Sequence, residues 1–285
     1  MKKKRILALL TLVIVGLVGG YHTIFSFSDT PQLSTITHQG TRLSKQCYYH
    51  RDPIAIDEQG TLNLLVWNLY KQNREQWRSA LDTFTHDTQL VLLQEASMND
   101  ELKQWINQGR WNGQQVDAFQ AFDATAGVLN LAVELPEKAC AYTELEPWLQ
   151  LPKSGLYATY ALSNGEVLAV VNVHAVNFTL GTEEYHHQLS ELSQALQHHH
   201  GPIIIAGDFN SWSEARLQEI HQVIHSLGMQ EAQFTPDHRR RFINDLPLDH
   251  LFYRGLQLFS AQSPATDASD HTPLLAQFRL NKAQE

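Results

Sequence analysis

Again and again in this sequence an apolar run ends in a group that can hold a cation or move a proton. Ile203-Ile204-Ile205-Ala206 leads straight into Gly207-Asp208-Phe209-Asn210. Alternate residues of a strand share a face, so Asp208 and Asn210 would present two hard oxygens on one side, the donors that magnesium prefers. The same stretch also suits a helix cap, because Asn210, Ser211 and Ser213 precede a helical pattern from Glu214. A second run, Leu90–Leu93, ends in Gln94-Glu95. A carboxylate at the mouth of a core is costly unless it is paired or metal-bound, so Glu95 asks for a cation. Asn68, after Leu64-Leu65-Val66-Trp67, stands in the same kind of place and reads equally as a ligand or a turn residue. Ser269-Asp270-His271 sets a ligand beside an imidazole that titrates near neutral pH. Asp249 would fix the tautomer of His271 from the far ring nitrogen, while His250, one residue on, faces away and reads as structural. His174, closing Val170–His174, can donate to a phosphate oxygen, and Asn177 can hold that loop or the phosphate.

Such groups need strands to deliver them. Thr61–Trp67 and Leu90–Leu93 predict buried strands around a helix over Arg74–Phe84, whose stripe is Trp77, Leu81 and Phe84. A helix is expected at Asn99–Gln108 and strands at Val116–Phe119 and Gly127–Leu135. Gly155–Leu162 and Glu166–His174 flank Ser163-Asn164-Gly165, a strong hairpin signal. Helices over Glu183–His199 and Glu214–Leu227 bracket the strand Pro202–Ala206. Pro247–Tyr253, Leu256–Ala261 and Leu274–Leu280 complete the strand set. Many hairpin strands with few helices predict two packed sheets covered outside by helices. No Gly-x-Gly-x-x-Gly follows the first strand, which disfavours a dinucleotide fold.

Taken in order, Trp67-Asn68, Gln94-Glu95, His174 with Asn177, Gly207-Asp208-Phe209-Asn210, Asp249 and Ser269-Asp270-His271 resemble the motif series of the endonuclease/exonuclease/phosphatase superfamily. The resemblance runs from about Leu62 to Leu280. Leu151-Pro152-Lys153-Ser154 and Arg239–Phe242 make the chain look like the YafD-like group of bacterial proteins within it. The resemblance implies an α/β fold, a four-layer sandwich of two packed mixed sheets flanked by helices. It also implies a divalent ion, usually magnesium with manganese as an alternative, and hydrolysis at phosphorus by in-line attack of water. It casts Asn68, Glu95 and Asp270 as metal residues and His174, Asp208, Asn210, Asp249 and His271 as catalytic ones. Asp208 and His271 are both candidates for the base. Many members carry a polar or basic residue in the strand after Gly127-Val128, where this chain reads Leu129-Asn130-Leu131-Ala132, so an altered substrate grip is expected. Arg239-Arg240-Arg241 is by default a solvated run. If it overhangs the cleft, Arg239 and Arg241 would grip a phosphate.

The chain has 285 residues, 43% of them hydrophobic, enough to bury one large domain, expected over 61–285 behind a polar tether at 28–60. A net charge of -9 argues against broad attraction to nucleic acid. The expected partner is a phosphate ester: a small phosphodiester, a phospholipid-derived one or a nucleic acid. A monomer is expected. Lys2-Lys3-Lys4-Arg5 ahead of the apolar Ile6–Val18 predicts a signal anchor or signal peptide over 1–27. No small-x-small cleavage site follows, which favours an anchor and, by the positive-inside rule, a periplasmic domain. The alternative is a buried helix in a cytoplasmic protein. Cys47 and Cys140 would form one bridge in an oxidising compartment or stand as two buried thiols. A binding or scaffold module without turnover is the rival functional reading.

Overall fold

The computed structural model describes residues 2–281 apart from positions 29, 45, 122, 123, 149 and 180. The last four positions of the expected domain lie outside the described residues. α1 (Lys2–Ile24) leads into β1 (Phe25–Ser26), β2 (Leu33–Thr37), β3 (Gly40–Ser44) and β4 (Cys47–Tyr49). A strand–helix–strand unit follows, β5 (Thr61–Asn68), α2 (Trp77–Phe84) and β6 (Leu90–Ser97), then α3 (Asp100–Gln108). β7 (Asn112–Ala121), β8 (Ala124–Ala132), β9 (Lys138–Leu145), β10 (Pro152–Ala161) and β11 (Val167–His174) run up and down. α4 (Glu183–Gln194), β12 (Ile203–Asp208), α5 (Glu214–Ser226), β13 (Gln230–Glu231), β14 (Asp249–Arg254), β15 (Leu256–Gln262) and β16 (Leu274–Leu280) complete the chain.

These strands form two mixed sheets. One has the order β15-β16-β5-β6-β8-β7-β2-β3, with β1 on β7; the other is β13-β14-β12-β11-β10-β9-β4. Among the described residues the parallel pairs are β5–β6 and β11–β12, each joined by a crossover through a helix. Alternation along the strands sorts residues into layers. Leu62, Leu64, Leu90, Val170, Ile204 and Phe278 meet between the sheets. Leu65, Trp67, Val91 and Leu93 face α2 and α3, and Val171, Val173, Ile203 and Ile205 face α4 and α5. Each fully buried aliphatic side chain contributes about 1.5–3 kcal/mol, so the pattern stabilises all three interfaces at once. The expected four-layer sandwich is the observed one.

Caps decide one open question at the site. Asn99 caps α3, accepting from Leu102 N at 2.9 Å, and Ser213 caps α5, accepting from Arg216 N. Because Ser213 does that work, Asn210 is released for another role.

The tether reading of 28–60 is corrected. β2 and β3 extend one sheet and β4 the other, Leu33 and Ile56 are buried, and Cys47 is disulfide-bonded to Cys140 on β9. Asp57 holds this segment to the hairpin, accepting from Ser163 N at 2.7 Å. These strands are short and rich in polar residues, so they show no sustained period. Among the described residues no helix is long and apolar enough to cross a membrane.

Candidate functional site: a cleft at the strand ends

Both parallel pairs end at the same end of the sandwich, and their last residues face one another across it. β5 delivers Asn68, β6 Gln94 and Glu95, β11 His174 and β12 Asp208. β14 starts there too, with Asp249 opposite Asp208 in register, and the turn before β16 adds Asp270 and His271. The local backbone explains how these side chains leave their sheets. Pairing of β6 with β8 skips from Leu93 to Ala96, and Glu95 sits in that irregularity at φ 48°. A bulge of this kind turns a side chain out of the ladder. Gly207 has φ +141°, and a Cβ there would stand 2.0 Å from the carbonyl oxygen of Val173. Glycine thus lets β12 approach β11 closely enough to set Asp208 beside His174. Asn210, at φ 46°, is left-handed as well, a conformation costing about 1–2 kcal/mol that the surroundings must impose.

Asp208 is the centre. Its Oδ2 accepts from Asn68 Nδ2 at 2.9 Å and its Oδ1 from Asn210 N at 2.9 Å. His174 Nε2 lies 3.6 Å away and His271 Nε2 3.8 Å. Asp249 Oδ2 is 2.7 Å from His271 Nδ1, the expected tautomer-fixing contact. The turn carrying His271 is clamped to β5: Ser269 Oγ donates to the Asn68 carbonyl at 2.7 Å, and Trp67 Nε1 donates to the His271 carbonyl at 2.9 Å. Beneath lies a buried amide relay that joins the sheets. Gln94 Nε2 donates to Asn172 Oδ1 at 2.7 Å, and Asn172 Nδ2 donates to Asn130 Oδ1 at 2.9 Å. Asn130, in the strand where a changed substrate grip was expected, therefore supports the floor from below. His250 is structural, bonded to Ser211 Oγ and Glu231 Oε1 at 2.8 Å each.

Burial, reinforced by the charge of Asp249, pushes the Asp208 carboxyl up to about 6 against the pull of His271. Burial alone would lower His271, but the carboxylates of Asp249, Asp208 and Asp270 outweigh it and push the imidazole up to about 10. His174 moves well below its ordinary value, first through burial and then through Lys153, Lys71 and His271. One imidazole is thus held protonated and the other neutral.

Hard-cation donors are present as well. Asp270 Oδ1 is buried without a hydrogen-bond partner among the described residues, the state of an acceptor built for a cation. Glu95 already draws one, the ammonium of Lys71. Asn68 is less free than expected: besides its bond to Asp208, its Oδ1 accepts from Tyr70 N at 2.9 Å, leaving one lone pair. Asp208, Asp249 and His271 also place ligand atoms within 4.8 Å of one another, but the proton shared by Asp249 and His271 fits a relay better than a metal.

The substrate side departs from expectation. Asn177 lines the cleft, with Oδ1 accepting from Trp212 Nε1 at 2.9 Å. Arg239 and Arg241 do not line it. Arg239 pairs with Glu231 at 2.8 Å and Asp237 at 3.0 Å, and Arg241 pairs with Asp237 at 3.1 Å. Arg240, between them, is the one that faces the cleft. The cavity measures about 610 Å³, and Lys71, Lys153, Trp148, Phe178 and Phe242 also line it. Sequence reasoning assigned none of these a role. Lys153 places Nζ 3.0 Å from His174 Nε2. Another omission is Arg216, fully buried, which donates to the carbonyls of Val176 and Asn210 at 2.7 and 3.0 Å and so ties together the loops that follow β11 and β12.

A family profile described as Endonuclease/Exonuclease/phosphatase family matches residues 65–271. A UPF0294 protein of Vibrio vulnificus is 52% identical over 279 residues, 98% of each chain, which bears out the YafD-like resemblance. An endonuclease/exonuclease/phosphatase from Beutenbergia cavernae superposes with a TM-score of 0.62 at 16% identity, covering 79% of this chain and 73% of that one. The human Nocturnin catalytic domain with bound sulfate anion gives 0.60 at 16%, covering 81% and 97%. At such identities the two structures speak for the fold; the profile and the close relative establish that the chain belongs to the endonuclease/exonuclease/phosphatase family.

Proposed function

We propose that the chain hydrolyses a phosphate ester by in-line attack of water, with a divalent cation. The observation that carries this reading is the convergence on Asp208 of Asn68, His174 and His271 from separate strands and turns, with the backbone N–H of Asn210 closing on it from two residues along. Glu95 and Asp270, with the remaining lone pair of Asn68, would hold magnesium or manganese, which when bound would polarise the phosphate and offset charge on the leaving oxygen. Asp208 is the carboxylate placed to orient the attacking water and accept its proton. Its raised pKa sets it near the operating pH, where a general base is most effective. His271, kept protonated by Asp249, would face the non-bridging oxygens, and Lys153 beside neutral His174 would add a second positive donor to the same space.

The reading includes a periplasmic domain held at the membrane by its N-terminus. The basic-then-apolar start and the Cys47–Cys140 bridge support it, because such bridges persist in oxidising compartments. The test is a panel of phosphodiesters and monoesters, assayed with magnesium, with manganese and with chelator, on wild type, Glu95→Ala and Asp208→Ala. Cation-dependent turnover lost in both variants is the expected result. Full turnover in chelator, or binding of esters with no turnover under any condition, would overturn the proposal.

A further inference from the structure

Strand register fixes what else lies at the end of the sandwich that bears the cleft. Ser97 at the close of β6 pairs with Ala126, so the β7–β8 hairpin runs on past Glu95. β9 and β10 pair Leu145 with Pro152, and Gly155 lies opposite Val173, so the described residues of their connection sit above His174. β1 pairs Phe25 with Ala121 at the hairpin tip, so α1 also leaves the domain at this end. The helix is held there: Tyr21 Oη donates to the Gln150 carbonyl at 3.0 Å, and the Phe25 ring meets Phe119 edge-on at 5.9 Å. Gln150 belongs to the same connection as Trp148.

Two apolar features therefore share one end. Trp148, Phe178 and Phe242, on three different connections around the cleft, are 64%, 51% and 52% exposed. Scattered exposed apolar residues are ordinary, but large rings gathered around one mouth mark an interaction surface. α1 exposes Leu10, Leu12, Val13 and Val15 by more than half, and its far end carries Lys3 and Lys4. Inside the ring of aromatics the lining turns charged: Lys153 and Arg240 are its cations, and the acids Glu95, Asp208 and Asp270 face Lys71 and the divalent ion proposed above. Apolar outside and charged within is the order in which a bilayer presents an amphipathic phosphate ester, and aromatic side chains concentrate at that depth of a membrane.

We propose that the cleft end of the sandwich is a membrane-docking face, and that the ester it admits is the phosphate headgroup of a lipid in that membrane. The second half rests on the hydrolytic reading above; the first does not. A nucleic-acid strand is the weaker occupant. It would need a cationic track beyond the cleft, whereas the net charge is -9 and Arg239 and Arg241 are paired with acids.

The test uses the full chain reconstituted in vesicles of phosphatidylcholine with a minority of phosphatidylglycerol. Brominated phosphatidylcholine should quench the tryptophan emission, and Trp148→Phe, a mild change at an exposed site, should remove most of that quenching. Phe178→Ala/Phe242→Ala should lower turnover of vesicle phospholipid, relative to soluble bis(p-nitrophenyl) phosphate, about tenfold through lost interfacial insertion. Absence of quenching in the wild type, or an unchanged ratio in the double variant, would overturn docking. So would a double variant that loses affinity for a single-stranded oligonucleotide while keeping the vesicle ratio. Trp148-dependent quenching without turnover of any ester would leave docking standing while the hydrolytic reading fell.

Discussion

The floor of the cleft and its rim share one opening but are built on opposite terms. On the floor, Asp208, Asp249, Asn210 and His271 are buried at strand ends, each with a hydrogen-bond partner on a neighbouring element. On the rim, Trp148, Phe178 and Phe242 ride on connections and leave more than half their surface in solvent. A strand end inherits its position from the whole ladder, so a catalytic atom there is placed by many backbone bonds at once. A loop side chain answers to few neighbours and can be exchanged at little cost in stability. On the proposed reading, sheets would hold the reaction and loops would choose what undergoes it.

Removing the centre of the floor should have the largest effect. Asp208→Ala is expected to lower kcat for a soluble phosphodiester with magnesium by about 10³-fold, in the range for loss of a base together with its oriented water. A loss under tenfold in steady-state assays would move the centre elsewhere. Asp249→Asn keeps the shape of its partner but removes the charge that holds the His271 proton, and kcat should fall about 10²-fold. At the rim, Trp148→Ala should act mainly through KM, raising it about tenfold for an amphipathic ester; a loss confined to kcat would erase the distinction between floor and rim. The smallest effect concerns a half-buried acid outside both regions. Asp117 on β7 is pushed up to about 6 by burial. Its folded form keeps a proton that the unfolded chain releases near pH 4, so the stability it confers is present below that pH and is lost as pH rises through 6. Asp117→Asn should therefore unfold about 1–2 kcal/mol later than wild type at pH 7.5, and at the same denaturant concentration at pH 4. A variant less stable at pH 7.5 would show that this carboxylate has a partner to lose.

The contrast also explains what could be read in the sequence. An apolar run closed by an acid is visible as residue type alone, so Glu95 and Asp208 stood out; the pair Asp270-His271 stood out as an acid beside an imidazole, and the packed sheets behind them were legible too. Aromatic residues carry no such mark. Trp67, Trp77, Trp105 and Trp111 are core, and nothing local separates them from Trp148 or Trp212. Lys71 reaches Glu95 because Tyr70, Lys71 and Gln72 are all left-handed, at φ 50°, 54° and 57°, a strained run that no propensity announces. In the arginine triplet alternation was foreseeable, but which parity faces the cleft depended on Asp237 and Glu231 waiting on the other side. The strands β2, β3 and β4 escaped notice because they are short and rich in polar residues, and β3 and β4 bury no side chain fully, so they resemble a linker.

The pairing of β16 with β5, Leu274 opposite Val66, has a consequence in time. Trp67 and His271, joined by a hydrogen bond, are 204 positions apart in the chain. A nascent polypeptide still emerging from the ribosome, or one clipped ahead of this segment, lacks the protonated imidazole and its neighbouring acid altogether. Competence arrives in one step, when the closing strand slides into its slot. If the proposed hydrolysis holds, no partly made copy could carry it out.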